Sequence, residues 1–191
     1  MTRETALIAV NLQNQFTDPN GCLYYPATGV AMPRILEGIR LLREQGVHIV
    51  YAMAEATGEE FTFDTELLKR RDPVPLRGTW EARRDPRLEI DPADQVITHC
   101  ASSAFFGTSL AENLRQRGIK NVITCGVKTN YDVRATATDA MWNQFRAFVA
   151  SDMVACDSEE RNNRHLEELT KYTAKALPLD EILQRIARGE L

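Results

Sequence analysis

Short apolar runs alternate with segments of helical spacing along most of the chain. Ala6-Leu7-Ile8-Ala9-Val10 is an unbroken apolar run with the length of a buried strand. From Met32 to Gln45, Ile35, Ile39 and Leu42 recur at helical intervals, and Gly46 supplies a stop, so the spacing predicts a helix. Val47 to Met53 reads as a second strand, and Asp94 to Cys100 contains a third around Gln95-Val96-Ile97. Phe106 to Arg117 reads as a helix closed by Gly118, Asn121 to Val127 as a fourth strand, Tyr131 to Phe145 as a helix and Ala147 to Val154 as a fifth strand. Ser158 is placed to cap another helix. Arg161, rather than Glu, stands three residues on, so this is a simple cap and not a capping box. A last short helix runs from Asp180 to about Arg188.

Strands separated by helices of this length form βαβ units and a mostly parallel sheet covered on both faces. Parallel crossovers are right-handed, so the pattern predicts an α/β fold, a doubly wound three-layer α/β/α sandwich. In such sheets ligands bind beyond the carboxyl ends of the strands. Those ends are Val10-Asn11, Ala54-Glu55, Thr98-His99 and Gly126-Val127. The one break in the alternation is 56–92, which holds Pro73, Pro75, Pro86 and Pro92. It also has a basic bias, with Lys69, Arg70, Arg71, Arg77, Arg83, Arg84 and Arg87 against Asp72, Glu81 and Asp85. A segment of this length inside a compact domain is read as a lid or interface arm, with most of its arginines solvated.

Composition narrows the picture without changing it. The 191 residues suit a single domain, 1–191, and a hydrophobic content of 43% with 26% charged residues is an ordinary globular balance. A net charge of −4 argues against a nucleic-acid partner. No apolar run approaches the length of a membrane span, and the first residues lack the pattern of a secretory leader. Cys22, Cys100, Cys125 and Cys156 form no CxxC or Cys/His cluster, which predicts unpaired thiols, a reducing cytoplasm and no metal. Cys100, Cys125 and Cys156 lie in or beside strand-like runs and read as small buried residues. Cys100 follows the strand residue His99, so strand alternation predicts that it faces away from the ligand edge.

Five stretches, in order, resemble the isochorismatase-like (cysteine hydrolase) family. Asn11-Leu12-Gln13-Asn14-Gln15-Phe16 is similar to its D-x-Q-x-D-F run, and Gly78-Thr79-Trp80 to its G-T-W segment. His99, followed by Ser103-Ala104-Phe105-Phe106-Gly107-Thr108, is similar to K-x-x-x-S-A-F-x-G-T. Cys125-Gly126-Val127-Lys128-Thr129-Asn130-Tyr131-Asp132-Val133 resembles C-G-V-x-T-N-x-C-V, continued by Ala135-Thr136-Ala137 and Asp139-Ala140. Ser151-Asp152-Met153-Val154-Ala155 resembles S-D-x-x-A. The resemblance covers nearly the whole chain.

What the resemblance implies is a hydrolase site made of an Asp base, a Lys and a Cys nucleophile. Carried over residue by residue, those positions hold Asn11, His99 and Asp132. Family members without the cysteine hydrolyse vinyl ethers with the first-motif Asp as acid, a residue that is Asn11 here. Asn11 can donate and accept hydrogen bonds but cannot take a proton. Asp132 stands at a strand-to-helix turn, where free N–H groups favour a carboxylate, and an acidic residue there is also an ordinary structural choice. His99, on the ligand edge, would form an acid/base pair with Asp132 if the two come within hydrogen-bond reach. The resemblance also puts a non-proline cis peptide and an oxyanion-binding amide at Lys128, whose side chain enters the pocket or turns to solvent with equal expectation. By motif position Gln13, Phe16, Trp80, Phe105, Val127, Lys128 and Tyr131 are candidate substrate contacts. The family's zinc-using branch carries a D-x-H motif that this chain lacks, so no cofactor is expected.

Three functions compete. The first is hydrolysis of a small polar molecule by a non-thiol acid/base mechanism, with Asp132 and His99 in place of the usual Cys and Lys. The second is an inactive family member that binds a small ligand or serves as an oligomer partner. The third is a thiol enzyme using Cys22 or another cysteine, which lacks a visible base or charge partner. A homo-oligomer is expected from the resemblance.

Overall fold

The computed structural model describes residues 4–57 and 73–191. Six strands form one sheet: β1 (Thr5–Val10), β2 (His48–Ala54), β3 (Gln95–His99), β4 (Asn121–Val127), β5 (Arg146–Ala155) and β6 (Lys175–Leu177). Their order is β3-β2-β1-β4-β5-β6 and every pairing is parallel. Among the described residues the helices are α1 (Asn14–Thr17), α2 (Pro26–Glu44), α3 (Leu110–Gln116), α4 (Arg134–Trp142), α5 (Glu159–Tyr172) and α6 (Leu179–Ala187), with one π turn over Thr129–Val133.

β1 is buried at all six positions because both faces of the sheet are covered. Leu7 and Ala9 pack with Met32, Ile35, Ile39 and Leu42 of α2 and Ile182 and Ile186 of α6. Ala6, Ile8 and Val10 pack on the other face with Leu110 and Leu114 of α3, Ala137 and Ala140 of α4 and Leu169 of α5. The three-layer sandwich predicted from the alternation is therefore formed. The strand order reverses between β1 and β4, which makes their carboxyl ends a topological switch point where a crevice opens.

Element boundaries differ from the sequence reading for local reasons. α2 starts at Pro26, six residues before the predicted start at Met32, because a proline in the first turn costs no hydrogen bond. The helix predicted from Phe106 shrinks to Leu110–Gln116. Gly107 has φ +69, and the Thr108 hydroxyl donates to the Ala104 carbonyl at 2.6 Å, so this stretch closes as turns. The helix predicted over Tyr131–Phe145 begins as the π turn and ends at Trp142, before Gln144 with φ +71. Strand β6 and the short α1 carry too few residues for a periodic signal.

The part of the proline-rich arm that is described lies over the strand ends. Lys69, Arg70, Arg71 and Asp72 fall outside the described residues. Gln13 fastens the arm down. Its Nε2 donates to the carbonyls of Ala54 and Ala82, both at 2.8 Å, and its Oε1 accepts from the Ala54 N–H at 2.7 Å. Asn14 donates to the Trp80 carbonyl at 3.0 Å and Gln15 to the Pro73 carbonyl at 2.6 Å. The arginines of the arm include Arg77, paired with Glu55, and Arg87, paired with Asp85. Gln13→Leu strands three backbone groups, so it is expected to cost about 2–3 kcal/mol and to lower Tm by roughly 4–12 °C. A melt indistinguishable from wild type would show that the clamp adds nothing to stability.

Candidate active site at the β1/β4 switch point

The cleft lies where the strand order reverses. It is lined by Asn11, Phe16, Ala54, Cys100, Lys128 and Asp132, with Tyr131, Leu23, Ala101, Pro73 and Val74 completing the wall. Its cavity volume is about 20 Å³, enough for about one water molecule.

Asn11 ends β1 in the left-handed region, with φ +56. Asn tolerates that conformation better than most side chains. The turn swings the amide into the cleft, where the residue is 1% exposed and the amide gives the Asp132 carboxyl a hydrogen bond.

Asp132 sits in the π turn that follows β4 and is 8% exposed. Burial pushes its carboxyl up to about 7. Against burial act the positive Lys128, the backbone N–H groups of Lys128 and of Asp132 itself, and least of all the nearby Asn11 amide. Lys128 follows the cis Val127–Lys128 peptide, is 4% exposed, and carries its ammonium 5.5 Å from the centroid of the Tyr25 ring. Its side chain thus turns into the fold, which decides the alternative left open by the sequence.

His99 is placed differently from the expectation. It closes β3 and is 3% exposed, with its Nδ1 2.7 Å from the Ala101 carbonyl and the Ala52 carbonyl also against its ring. No hydrogen bond joins it to Asp132, and it is not among the lining residues. Burial lowers its pKa, opposed by the carbonyls of Ala101 and Ala52, so the ring is held neutral. Its contact with Ala101 folds residues 99–101 into a bend. That bend overturns the expectation for Cys100. The strand ends at His99, alternation stops with it, and both Cys100 and Ala101 line the cleft.

The other candidates divide in the same way. Phe16, Lys128 and Tyr131 line the cleft. Val127 packs behind it with Phe16, Ala54 and Ala155. Gln13 is engaged in the clamp, Trp80 gives its carbonyl to Asn14, and Phe105 stacks on Phe145 in the core at a centroid distance of 6.1 Å. Strand alternation does not place Cys100, because it lies one residue past the end of β3.

Comparison with known proteins agrees with this fold. The isochorismatase domain model matches residues 5–181. A maleamate amidohydrolase of Pseudomonas putida is 26% identical, over 96% of this chain and 87% of its own length. A probable inactive nicotinamidase of Arabidopsis thaliana is 25% identical over 97% of both chains. The pyrazinamidase of Pyrococcus horikoshii, solved in complex with zinc, has a TM-score of 0.79 and 32% identity, covering 92% of this chain and 99% of its own. Among the described residues here, no three His, Cys, Asp or Glu side chains converge as a metal site, and a cleft faced by Asn11 and Lys128 does not fit a divalent cation. The domain model spans nearly all of the sequence that the parallel sheet organises, and the chain belongs to the isochorismatase-like hydrolase family.

Proposed function

We propose that this protein hydrolyses a small polar molecule by acid/base chemistry centred on Asp132, without a thiol at the family's nucleophile position. The observation that carries the reading is a buried carboxyl held near neutrality beside a buried lysine, at the strand-end crevice. A group that titrates near 7 can take a proton and return it within one turnover. In this reading ionised Asp132 accepts a proton from an attacking water and then hands it to the leaving group. Lys128 balances the negative charge that develops, and His99 is not needed as the acid/base partner of Asp132. His99 positions the Cys100–Ala101 wall instead. The Asn11 amide, beside Asp132, meets the polar group of the substrate. The amidohydrolase names of relatives favour an amide or ureido C–N bond as the one broken.

The test is a turnover screen of small carboxamides and ureido acids with wild type, Asp132→Asn and His99→Gln. Turnover that is kept in His99→Gln and lost in Asp132→Asn supports the reading; turnover at wild-type rate in Asp132→Asn overturns it. Asn11→Asp places a second carboxyl in the cleft. It is expected to move the pH–rate inflection upward from near 7 by about one unit or more, because like charges oppose ionisation. An unmoved inflection would mean that residue 11 does not face Asp132.

A ligand-binding role without turnover is the second reading, favoured by the relative described as probably inactive only in name. It predicts that a bound ligand raises Tm while no compound is consumed.

A further inference from the structure

We propose that Asn162 is a positioning residue for Asp132, acting through the Thr129 hydroxyl to keep the π turn closed around the carboxyl. This role rests on the hydrolase reading, in which Asp132 moves the proton. Single π turns are rare and gather at functional sites. Here the turn closes where the Val133 N–H donates to the Lys128 carbonyl at 3.1 Å. Thr129 opens it, is 0% exposed, and donates its hydroxyl to Asn162 Oδ1 at 2.6 Å. A hydroxyl so buried is costly unless bonded, and Asn162 supplies the bond from another element. β5 ends at Ala155, paired with Val127, and the chain then reaches Ser158, whose hydroxyl caps α5 through the Arg161 N–H at 3.3 Å. The Asn162 N–H donates to the Ser158 carbonyl at 3.0 Å, which fixes the residue in the first turn of α5. The start of α5 is thereby tied to the turn that carries Asp132.

The tie is neutral, and the charges around it are already matched. Asp157 and Arg161 pair at 2.5 Å, Arg134 and Glu168 at 3.0 Å, and His165 lies 3.1 Å from Arg134 and 3.4 Å from Glu168. Lys128 is the cation that acts on Asp132. Removing the Thr129–Asn162 bond therefore changes geometry at Asp132 without changing charge. The direction of the effect follows from which influence on the carboxyl is largest. Burial comes first and raises its pKa, while Lys128, the N–H groups of Lys128 and Asp132, and the Asn11 amide act against it. A loosened turn admits water and weakens those bonds together. The larger influence wins, so the carboxyl falls back toward its ordinary range. Its aim at a substrate suffers as well, because a misplacement of about 1 Å costs a rate factor of about 10².

The experiment follows the Asp132 carboxyl carbon by NMR through a pH titration of the full chain, with the signal assigned by its absence in Asp132→Asn. Wild type is compared with Asn162→Leu, Thr129→Val and Thr129→Ser. An inflection at about 7 is expected in wild type and in Thr129→Ser, which keeps the hydroxyl. In Asn162→Leu and Thr129→Val it should lie lower by about one pH unit or more. A bond that serves stability alone would lower Tm in both variants and leave the inflection in place. That result, or an inflection at the ordinary carboxylate value in wild type, overturns the proposal. If Thr129→Val does not fold, Asn162→Leu decides alone, since Asn162 is only half-buried. On a substrate from the turnover screen, Asn162→Leu should lower kcat about tenfold or more and leave KM within a factor of about three. A lowered inflection with kcat unchanged, or in a protein that hydrolyses nothing, supports the positioning of Asp132 and counts against the hydrolase reading alone.

Discussion

Asp132→Asn is expected to lower turnover by a factor of about 10²–10⁴, the usual contribution of a positioned acid/base group, and at the same time to stabilise the fold above neutral pH. The second effect follows from the direction of the shift. The carboxyl rises from 3.8 to about 7 in the folded protein. Between those values the folded state holds a proton that the unfolded state has released. Stability from this group is therefore fully present below about pH 4, falls as pH rises through the window, and is gone above 7. The span corresponds to about 4 kcal/mol. Asn keeps the neutral form at every pH, so at pH 8 the variant should be more stable by roughly 2–4 kcal/mol, or about 5–15 °C in Tm. His99 works the other way. Its lowered pKa means that the folded state refuses a proton the unfolded state accepts, so its contribution is present above 6.5 and lost as pH falls. Wild type combines both slopes with that of His48, which burial also lowers, and Asp132→Asn removes only the Asp132 slope. Thermal melts of the two proteins between pH 4 and 9 check this. Parallel curves at all pH values would mean that Asp132 is ionised in the fold without cost.

Gly126→Ala is expected to be the most damaging small substitution in the site. Gly126 pairs with Val10 in the β1–β4 ladder and has φ +103, a conformation that L side chains rarely adopt. A Cβ there would overlap the Val10 carbonyl oxygen and press on its nitrogen. These are backbone atoms in the centre of the sheet, so no side chain can swing aside. The two strands would have to part at the switch point, beneath Asn11 and two residues before Lys128. A loss of about 4–5 kcal/mol or more, the range reserved for core disruption, should appear as a Tm lower by roughly 10 °C or as insoluble protein. Gly107→Ala separates the two causes. Gly107 also has positive φ, but a Cβ there meets nothing within 4 Å, so only the conformational cost of about 1–2 kcal/mol remains. Equal losses in both variants would show that the close approach of β1 and β4 is not what requires glycine.

The division between what the chain pattern predicts and what the fold adds follows from the range of the forces involved. Period-two and period-3.6 burial depends on neighbours a few residues apart, so β1, β2, β4 and α2 and their layers are legible directly. Once the strands are ordered, Asn11, Lys128 and Asp132 must fall at one edge, because each stands just past a strand end at the point of reversal. Side-chain direction beyond those ends obeys no period. Cys100 enters the cleft because the His99 ring is hydrogen-bonded to Ala101 and bends the chain, and the same bond keeps His99 from Asp132. Gln13 becomes a clamp because the arm, 69 residues away in sequence, brings the Ala82 carbonyl to its amide. The sequence by itself determined the sheet, its two covering layers and the edge where chemistry is sought. Only the tertiary structure decided which of the side chains at that edge face one another, since that depends on single hydrogen bonds between segments far apart in the chain.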